Sequence, residues 1–151
     1  MRFLILAVGR QKAGPLKELE QLYAGRITLP LLIREVEERR KLSAAEMKTR
    51  EAELLLDSVP KGAMIVALDG RGEALSSASF AKRIETWREA SADLAFVIGG
   101  ADGLAETILQ QARLTLSLGA MTWPHILART MLLEQIYRAQ QILAGHPYHR
   151  A

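Results

Sequence analysis

Short apolar runs recur along this 151-residue chain, and segments with helix-like patterns separate them. The runs at 2–9, 63–69 and 94–98 are the clearest, and two further strands are predicted at 30–36 and 114–118. Apolar runs that do not alternate with polar residues are typical of strands buried on both faces. Strands that alternate with helices predict one α/β domain over residues 1–151, with helices on both faces of a parallel sheet.

Five helices are predicted between and after these strands. They are expected at 15–26, from Ser43 onward, at 76–90, at 104–112 and at 124–144. Ser43 and Glu46 have the spacing of a capping box, which satisfies free N–H groups at a helix start. Gly145 is expected to cap the last helix, and Pro147 prevents its continuation. The third strand is expected to end at Gly70-Arg71-Gly72.

Composition limits the classes of function that need to be considered. The chain has no cysteine, which excludes disulfides, thiolate metal ligands and a cysteine nucleophile. No stretch approaches the ~20 apolar residues of a membrane span, and the apolar start is interpreted as a strand rather than a signal peptide. A cytoplasmic protein without a membrane partner is therefore predicted. The net charge of +3 permits nucleic-acid binding without requiring it.

Glycine follows three predicted strands at the edge where α/β proteins bind ligands. The sequences are Leu68-Asp69-Gly70, Ile98-Gly99-Gly100 and Leu118-Gly119. Ligands of parallel sheets bind outside the carboxyl ends of the strands, where glycine lets a backbone come close. A tight turn explains any one of these glycines equally well, but three at one edge favour a small-molecule pocket. Phosphate-binding and hydrolase motifs are missing, which favours a ligand held by backbone groups between apolar walls.

The last predicted helix is apolar around most of its circumference. Its apolar positions are Leu127, Ala128, Met131, Leu132, Leu133, Ile136, Ala139, Ile142 and Leu143. Two explanations remain open: burial in the core of one subunit, or burial by its own domain on one side and by a second subunit on the other. Glu134 and Arg138 have the spacing of an ion pair on the narrow polar side.

The segment from His146 to Arg150 is dense in side chains that transfer protons or contact RNA. A metal site is disfavoured, because Pro147 prevents the two histidines from sharing a helical face and His125 is far away in the sequence. Two interpretations remain open: a disordered chain end, or a substrate-facing segment with an aromatic ring, an imidazole and a guanidinium. His125 is interpreted as a solvated residue in the first turn of the last helix.

Four motifs occur together in the second half of the chain. They are Ile98-Gly99-Gly100-x-x-Gly103-Leu104, the run from Leu116 to His125, Glu134-Gln135-x-Tyr137-Arg138-Ala139, and Tyr148-His149. In combination, and with the opening strand at 4–9, they resemble the RlmH family over the whole chain. Members of that family are SPOUT-class methyltransferases that modify large-subunit ribosomal RNA. The resemblance implies a trefoil-knotted α/β fold, S-adenosylmethionine as methyl donor, and no metal. It also implies a homodimer that methylates N3 of a pseudouridine in 23S rRNA of the assembled ribosome.

The resemblance also implies roles for individual residues. The donor pocket would involve Leu68, Gly99, Leu118, Gly119, Ala120, Met121, Thr122 and Trp123, with Gly100 as a neighbour. We predict His149 for proton handling, Tyr148 for stacking or hydrogen bonding, and, for contacts with RNA phosphates or developing charge, Arg129, Arg138 and Arg150. Arg138 is explained equally well as the partner of Glu134. The family pattern is not kept at Ala101-Asp102, which leaves the polar contact near the donor undefined.

Two other functions account for part of the sequence. A non-enzymatic RNA-binding or ribosome-associated module explains the basic charge and the tail, but it gives no reason for three glycine-edged strand ends. A nucleotide-binding enzyme of another reaction type explains the sheet, but the chain lacks the phosphate-binding motifs of such enzymes.

Overall fold

The five predicted strands and five predicted helices are all present in a computed structural model that describes residues 1–90 and 92–150. The strands are β1 (Phe3–Val8), β2 (Leu31–Val36), β3 (Met64–Ala74), β4 (Leu94–Ile98) and β5 (Leu114–Ser117). The helices are α1 (Pro15–Arg26), α2 (Ala44–Asp57), α3 (Ser77–Glu89), α4 (Glu106–Gln111) and α5 (His125–Leu143). The strands form one parallel sheet in the order β2-β1-β4-β3-β5. The predicted α/β class is confirmed.

The central strands bury both of their faces, which explains their unbroken apolar sequences. On one face, side chains such as Ile5 and Val66 pack against α1, α3 and α5. On the other face, Leu6 and Ala67 pack against α2 and α4. All residues of β1 and β4 are buried, as predicted. The edge strand β2 instead mixes half-buried and exposed residues, because helices cover it less completely.

β3 is longer than predicted. It continues through Gly70-Arg71-Gly72 to Ala74, so the prediction that these glycines end the strand is wrong. The pairing with β5 shifts there, and Leu68 and Glu73 both lie opposite Leu116. Gly72 is required because a Cβ at this position would lie 2.3 Å from the carbonyl oxygen of Thr115. The glycines therefore mark a bulge, which has the same local sequence signal as a turn.

Helix ends follow the predicted signals. The Ser43 hydroxyl accepts a hydrogen bond from the N–H of Glu46 at 3.2 Å and donates to the carboxylate of the same residue at 3.0 Å. After α5, the N–H groups of Gly145 and His146 donate to carbonyl groups of the last helical turn. These two bonds form a Schellman motif, which reverses the chain at the end of the helix. Among the residues that the structure describes, no helix has the length and apolarity needed to cross a membrane.

α5 packs against α1 and α3 on one face of the sheet. Its core side consists of Leu132, Leu133, Ile136 and Ala139, which are buried. Burial in one subunit therefore explains part of the wide apolar surface of this helix. Other apolar positions of the helix remain half-buried: Leu127, Ala128, Met131, Ile142 and Leu143.

Candidate functional site

A cavity of about 640 Å³ opens at the carboxyl edge of the sheet, where β3, β4 and β5 approach one another. This volume lies within the ~300–1,000 Å³ that is typical of sites for small molecules and cofactors. Residues around Leu68, Gly99 and Leu118 all contribute to the wall. The three glycine-edged strand ends therefore meet at one cavity.

All eight residues predicted to hold the donor line this cavity. They are Leu68, Gly99, Leu118, Gly119, Ala120, Met121, Thr122 and Trp123, and the predicted neighbour Gly100 lines it as well. Further lining residues were not assigned to the donor from sequence, among them Asp69, Ile98, Leu116, Pro124, His125 and Ala128. Asp69, Ile98 and Pro124 each flank a predicted residue in the chain. His125 and Ala128 belong to α5, so only the packing of that helix reveals them.

Gly99 lets the chain approach itself closely at the cavity wall. A Cβ on Gly99 would lie 2.8 Å from the carbonyl carbon and oxygen of Gly103. The N–H of Gly103 donates to the carbonyl oxygen of Gly100 at 3.0 Å and closes the turn. Any side chain at position 99 therefore displaces this turn, and with it one wall of the cavity.

Two side chains shape the loop that follows β5. The buried Ser117 hydroxyl accepts from the N–H of Gly119 at 3.2 Å and donates to its carbonyl oxygen at 3.0 Å. The indole N–H of Trp123 donates to the carbonyl oxygen of Leu118 at 3.3 Å. The outer part of the loop remains accessible, since Met121 is 75% exposed and Trp123 is 40% exposed. Exposed apolar side chains beside a cavity are typical of contact with a ligand or a second subunit.

A carboxylate lies at the cavity rim on Asp69, and Arg71 pairs with it. The guanidinium makes two hydrogen bonds to Asp69, of 2.8 Å from Nε and 2.9 Å from Nη2. These bonds lower the pKa of Asp69, although partial burial opposes them. The rim therefore carries a neutralised ion pair rather than a free charge.

The departure from the family pattern at Ala101-Asp102 adds no carboxylate to the cavity. Ala101 lines the cavity, whereas the exposed Asp102 lies outside the lining. Behind this loop, the buried Glu51 carboxyl of α2 packs close to Gly100. Burial raises the pKa of Glu51, and the charge of Asp102 adds to the effect. We therefore expect no acidic contact with a bound ligand from position 102.

His125 contributes to the cavity, which corrects its interpretation as a solvated residue. It begins α5 and is half-buried, and its Nε2 would lie 3.5 Å from a Cβ on Gly9. Burial, and then the nearby Arg129 guanidinium, lower the pKa of this imidazole. A neutral imidazole thus forms the part of the wall that lies beside the end of β1.

Arg129 is buried, which contradicts its predicted contact with an RNA phosphate. The residue is 0% exposed, and its Nη1 lies 2.5 Å from the Glu35 carboxylate and 3.8 Å from that of Glu20. Its Nη2 donates to the carbonyl oxygen of Gly9 at 3.0 Å. The side chain therefore links α5 to β2, α1 and the end of β1. Buried charges need such partners, and these ones come from distant parts of the sequence.

The two glutamates differ in their response to Arg129. Burial would raise the pKa of Glu35, but hydrogen bonds from Arg129 and from the N–H of Gln11 lower it. The pKa of Glu20 is raised, because burial outweighs the attraction of the guanidinium. Glu35 is thus the closer and more acidic partner of Arg129, and Glu20 is the more easily protonated of the two.

The tail folds back onto the second half of α5, so the interpretation as a disordered chain end is wrong for residues 146–150. The Tyr148 ring meets the Tyr137 ring edge-on, with the ring centroids 4.7 Å apart. The Tyr148 hydroxyl donates to the Glu134 carboxylate at 3.0 Å. Burial and this hydrogen bond raise the pKa of Tyr148 to about 12.

Arg138 connects the tail to the predicted ion pair with Glu134. Its Nη2 lies 2.7 Å from the Glu134 carboxylate, and its guanidinium carbon lies 4.8 Å from the centre of the Tyr148 ring. Its Nη1 lies 3.2 Å from Nδ1 of His149. Because arginine only donates, Nδ1 accepts, and a neutral His149 then carries its proton on Nε2. Arg138 therefore pairs with Glu134 and also contacts both predicted catalytic residues.

The tail cluster (Glu134, Arg138, Tyr148 and His149) and the cavity lie at opposite ends of α5. His125 and Arg138 are separated by about 20 Å along the helix, at ~1.5 Å per residue. Arg150 is exposed at the end of the tail. Within one subunit, the structure does not bring the predicted catalytic residues to the predicted donor pocket.

Known proteins are similar in sequence to this chain along its whole length. The family model described as predicted SPOUT methyltransferase matches residues 1–149. The chain is 59% identical over 152 residues to the ribosomal RNA large subunit methyltransferase H of Rhodospirillum centenum, with all of both chains covered. This chain belongs to the RlmH family of SPOUT methyltransferases. A second RlmH relative, from Paramagnetospirillum magneticum, is 51% identical over 151 residues, with 99% of each chain covered.

Solved structures share the fold of this RlmH chain at low identity. The probable methylase family protein from Haemophilus influenzae Rd KW20 has a TM-score of 0.59 at 11% identity, covering 99% of this chain and 70% of that one. The SpoU methyltransferase AviRb from Streptomyces viridochromogenes, in complex with the cofactor AdoMet, has a TM-score of 0.50 at 14% identity. That match covers 93% of this chain and 58% of AviRb. The predicted SPOUT fold class is confirmed.

Proposed function

We propose that this protein methylates large-subunit ribosomal RNA, with S-adenosylmethionine as donor and N3 of a pseudouridine in 23S rRNA as acceptor. It acts in the cytoplasm as a homodimer on the assembled ribosome. The observation that carries the proposal is the convergence of eight predicted donor residues, from three separate strand ends, on one cavity. The names of the relatives support RNA as the substrate class.

The cavity has the features that S-adenosylmethionine requires. Apolar side chains such as Leu68, Leu116 and Leu118 suit the adenine ring and the methionine chain, and the glycine turns expose backbone groups for the polar parts. AviRb, which has the same fold, was solved with AdoMet. When bound, S-adenosylmethionine supplies a methyl group already activated by a positively charged sulfur. The protein therefore has to position the acceptor and manage its proton.

The acceptor nitrogen has to lose a weakly acidic proton, and the tail cluster has groups suited to this step. Loss of the proton leaves negative charge on the ring, which a hydrogen-bond donor or a cation stabilises. Arg138 occupies Nδ1 of His149, so a neutral His149 presents an N–H on its other side. We assign proton handling to His149: its N–H donates a hydrogen bond to the ring oxygen that gains charge, while the N3 proton leaves to water. We assign stacking on the base to Tyr148, and charge stabilisation to Arg138 and Arg150.

A second subunit is needed because the tail of one subunit lies far from its own cavity. The cluster around Arg138 is several helical turns away from His125 at the cavity wall. A homodimer solves this problem if each cavity receives the tail of the other subunit. Symmetry then provides two equivalent sites.

The surface of α1 and α5 supports such a dimer. Leu16, Leu19 and Leu22 follow one another at three-residue spacing on α1 and are 38–46% exposed. Beside them, Leu127 and Met131 of α5 line a mainly apolar groove of about 530 Å³. This groove shares its Leu118–Gly119 segment with the donor cavity. A partner packed along α1 and α5 therefore reaches the cavity, and it covers apolar positions of α5 that the core leaves half-buried.

The methylation itself is tested by mass spectrometry of rRNA from cells with and without the gene. The expected result is loss of one N3-methylated pseudouridine from 23S rRNA, restored by the wild-type gene and not by His149→Ala. Assembled ribosomes and protein-free rRNA from the deletion strain, each offered to the purified protein with labelled donor, identify the form of the substrate. An unchanged set of rRNA methyl groups in the deletion strain would overturn the proposed function.

Sharing of the site between subunits is tested by combining two damaged variants. Gly99→Ala disrupts the donor cavity and keeps the tail, whereas His149→Ala does the reverse. Co-expression should restore about one quarter of wild-type turnover, because half of the dimers are mixed and each of these has one intact site out of two. Purified mixed dimers that remain inactive would show that each subunit uses its own tail.

A further inference from the structure

Exposed cations on two loops lie at the same sheet edge as the donor cavity. Arg10 and Lys12 follow β1, and Lys41 follows β2; all three are exposed. Residues 9–17 contain three basic residues and no acidic one. The N–H of Gly9 donates to the carbonyl oxygen of Val36 at 2.9 Å and joins the two strands where these loops begin. We call Arg10, Lys12 and Lys41 the basic corner.

No ion pair neutralises the basic corner, because the nearby carboxylates of the described residues have other partners. Glu35 pairs with the buried arginine of α5, Glu37 lies 4.0 Å from its neighbour Arg39, and Glu38 binds two arginines. Among residues 1–90 and 92–150, no carboxylate lies within ion-pair distance of the basic corner. These three cations are therefore available to an external anion.

The strand order places the loops of the basic corner next to the strands that form the cavity. β1 lies directly beside β4, whose end forms part of the cavity wall, and β2 is one strand further away. Neighbouring strands are about 4.8 Å apart, so the two loops begin about 5 and 10 Å from the end of β4. The loop after β1 therefore begins within the Debye length at physiological salt, about 8 Å, and the loop after β2 begins just beyond it. His125 bridges the two regions, since it lines the cavity and lies against Gly9.

We propose that the basic corner is an RNA-docking surface that binds phosphates flanking the acceptor nucleotide. The proposal rests on the proposed function and adds the place where the RNA backbone lies. RNA suits this surface better than an acidic protein does, because any nucleotide that enters the cavity carries its neighbouring phosphates to the sheet edge. Cations on loops contact phosphates without reading sequence, so this surface supplies affinity and register rather than base choice.

Two charge-matched variants test this placement. The first changes all three residues of the basic corner to glutamine. The control changes three exposed basic residues elsewhere, on α3 and at the opposite sheet edge, to glutamine: Lys61, Lys82 and Arg88. Each set removes three positive charges from a chain of net charge +3, so both variants are neutral overall and differ only in position. The probe is the 70S ribosome from cells that lack the gene, with binding measured over a range of salt concentrations.

The basic-corner variant should bind ribosomes less tightly and with a weaker dependence on salt. The slope of log affinity against log salt should fall by about 2, at ~0.7 per phosphate contact on a single strand, which is roughly 100-fold weaker binding at about 0.1 M salt. Donor affinity should not change in either variant, and the control should keep the wild-type slope.

Three results would overturn the docking surface. An unchanged slope and affinity would show that the basic corner makes no contact. An equal change in the control would show that only net charge matters. Weaker binding with an unchanged slope would indicate a partner other than a phosphate, such as a ribosomal protein. If the wild-type protein methylates no rRNA at all, the proposed function itself fails, and this result is distinct from the other three.

Discussion

Arg129 and Arg138 lie on the same helix, and each pairs with a glutamate, but their environments are opposite. The Arg129 side chain is 1% exposed and is held by carboxylates from two other elements. The Arg138 side chain is 24% exposed and pairs with a glutamate one turn away on α5. The end of α5 beside the cavity is therefore fixed by buried charge, while the end beside the tail keeps accessible groups. The cavity end of α5 thus contributes to the stability of the fold, and its other end presents side chains that a substrate can contact.

Replacing each arginine by methionine gives the largest expected contrast. Arg129→Met should lower the free energy of unfolding by about 3 kcal/mol, because it leaves the buried Glu20 carboxyl and the partly exposed Glu35 carboxylate without their partner. Arg138→Met should cost about 1 kcal/mol or less, since its pair is local and partly exposed. Denaturant titrations followed by tryptophan fluorescence measure both values.

A second substitution serves as the control for this contrast. Glu20→Gln in the Arg129→Met background should recover part of the loss, because it removes one of the unpaired carboxylates. Equal losses for the two arginine variants would show that burial does not distinguish them. Turnover per folded molecule should fall more in Arg138→Met than in Arg129→Met.

The second prediction compares the donor cavity at one end of α5 with the tail cluster at the other. The cavity depends on backbone turns, and the tail cluster depends on side chains. Gly99→Ala should weaken donor binding about 10- to 100-fold, because overpacking of about 1–3 kcal/mol falls on the turn that forms the cavity wall. His149→Ala should leave donor binding unchanged. Calorimetric titration with S-adenosylmethionine measures both.

A matched glycine elsewhere provides the control for Gly99. A Cβ on Gly25, in α1, would have no heavy atom within 4 Å. Gly25→Ala should therefore keep donor affinity and gain up to about 1 kcal/mol of stability from helix propensity. Wild-type donor affinity in Gly99→Ala would mean that the turn adapts and that the cavity is not built on this close approach.

Local sequence signals were sufficient to predict most of the fold. Apolar runs located the strands, and Ser43 and Gly145 marked helix ends through bonds made within a few residues. The extension of β3 past Gly70 was missed because a bulge and a turn have the same glycine signal. Only the pairing of Gly72 against Thr115 distinguishes them, and that contact depends on β5.

The same distinction between local and distant contacts applies to the site. The eight predicted donor residues lie in three short segments, and strand order alone brings these to one edge. His125 and Arg129 were misinterpreted because their partners, Gly9 and Glu35, are about a hundred residues away in the sequence. An arginine on a helix has the same sequence signal whether it meets a phosphate or a buried carboxylate. Burial decides between these roles, and it is a property of the packed domain.

The smallest expected effect is a pH dependence at the Arg129 end of α5. Burial and the Arg129 guanidinium lower the pKa of His125 below its ordinary value of 6.5. The unfolded chain therefore takes up this proton first, and the free energy of unfolding falls as the pH drops from 6.5 towards the lower folded pKa. Above pH 6.5 the group contributes no pH dependence.

His125→Gln should make this fall in the free energy of unfolding shallower, and comparison with wild type at each pH cancels the contributions of Glu20 and Glu35. The His125 effect should also be smaller in an Arg129→Met background, which lacks the nearby positive charge. Parallel curves for wild type and His125→Gln would mean that this imidazole titrates as it does in water. The Arg129 end of α5 would then differ less from the Arg138 end in burial than the structure indicates.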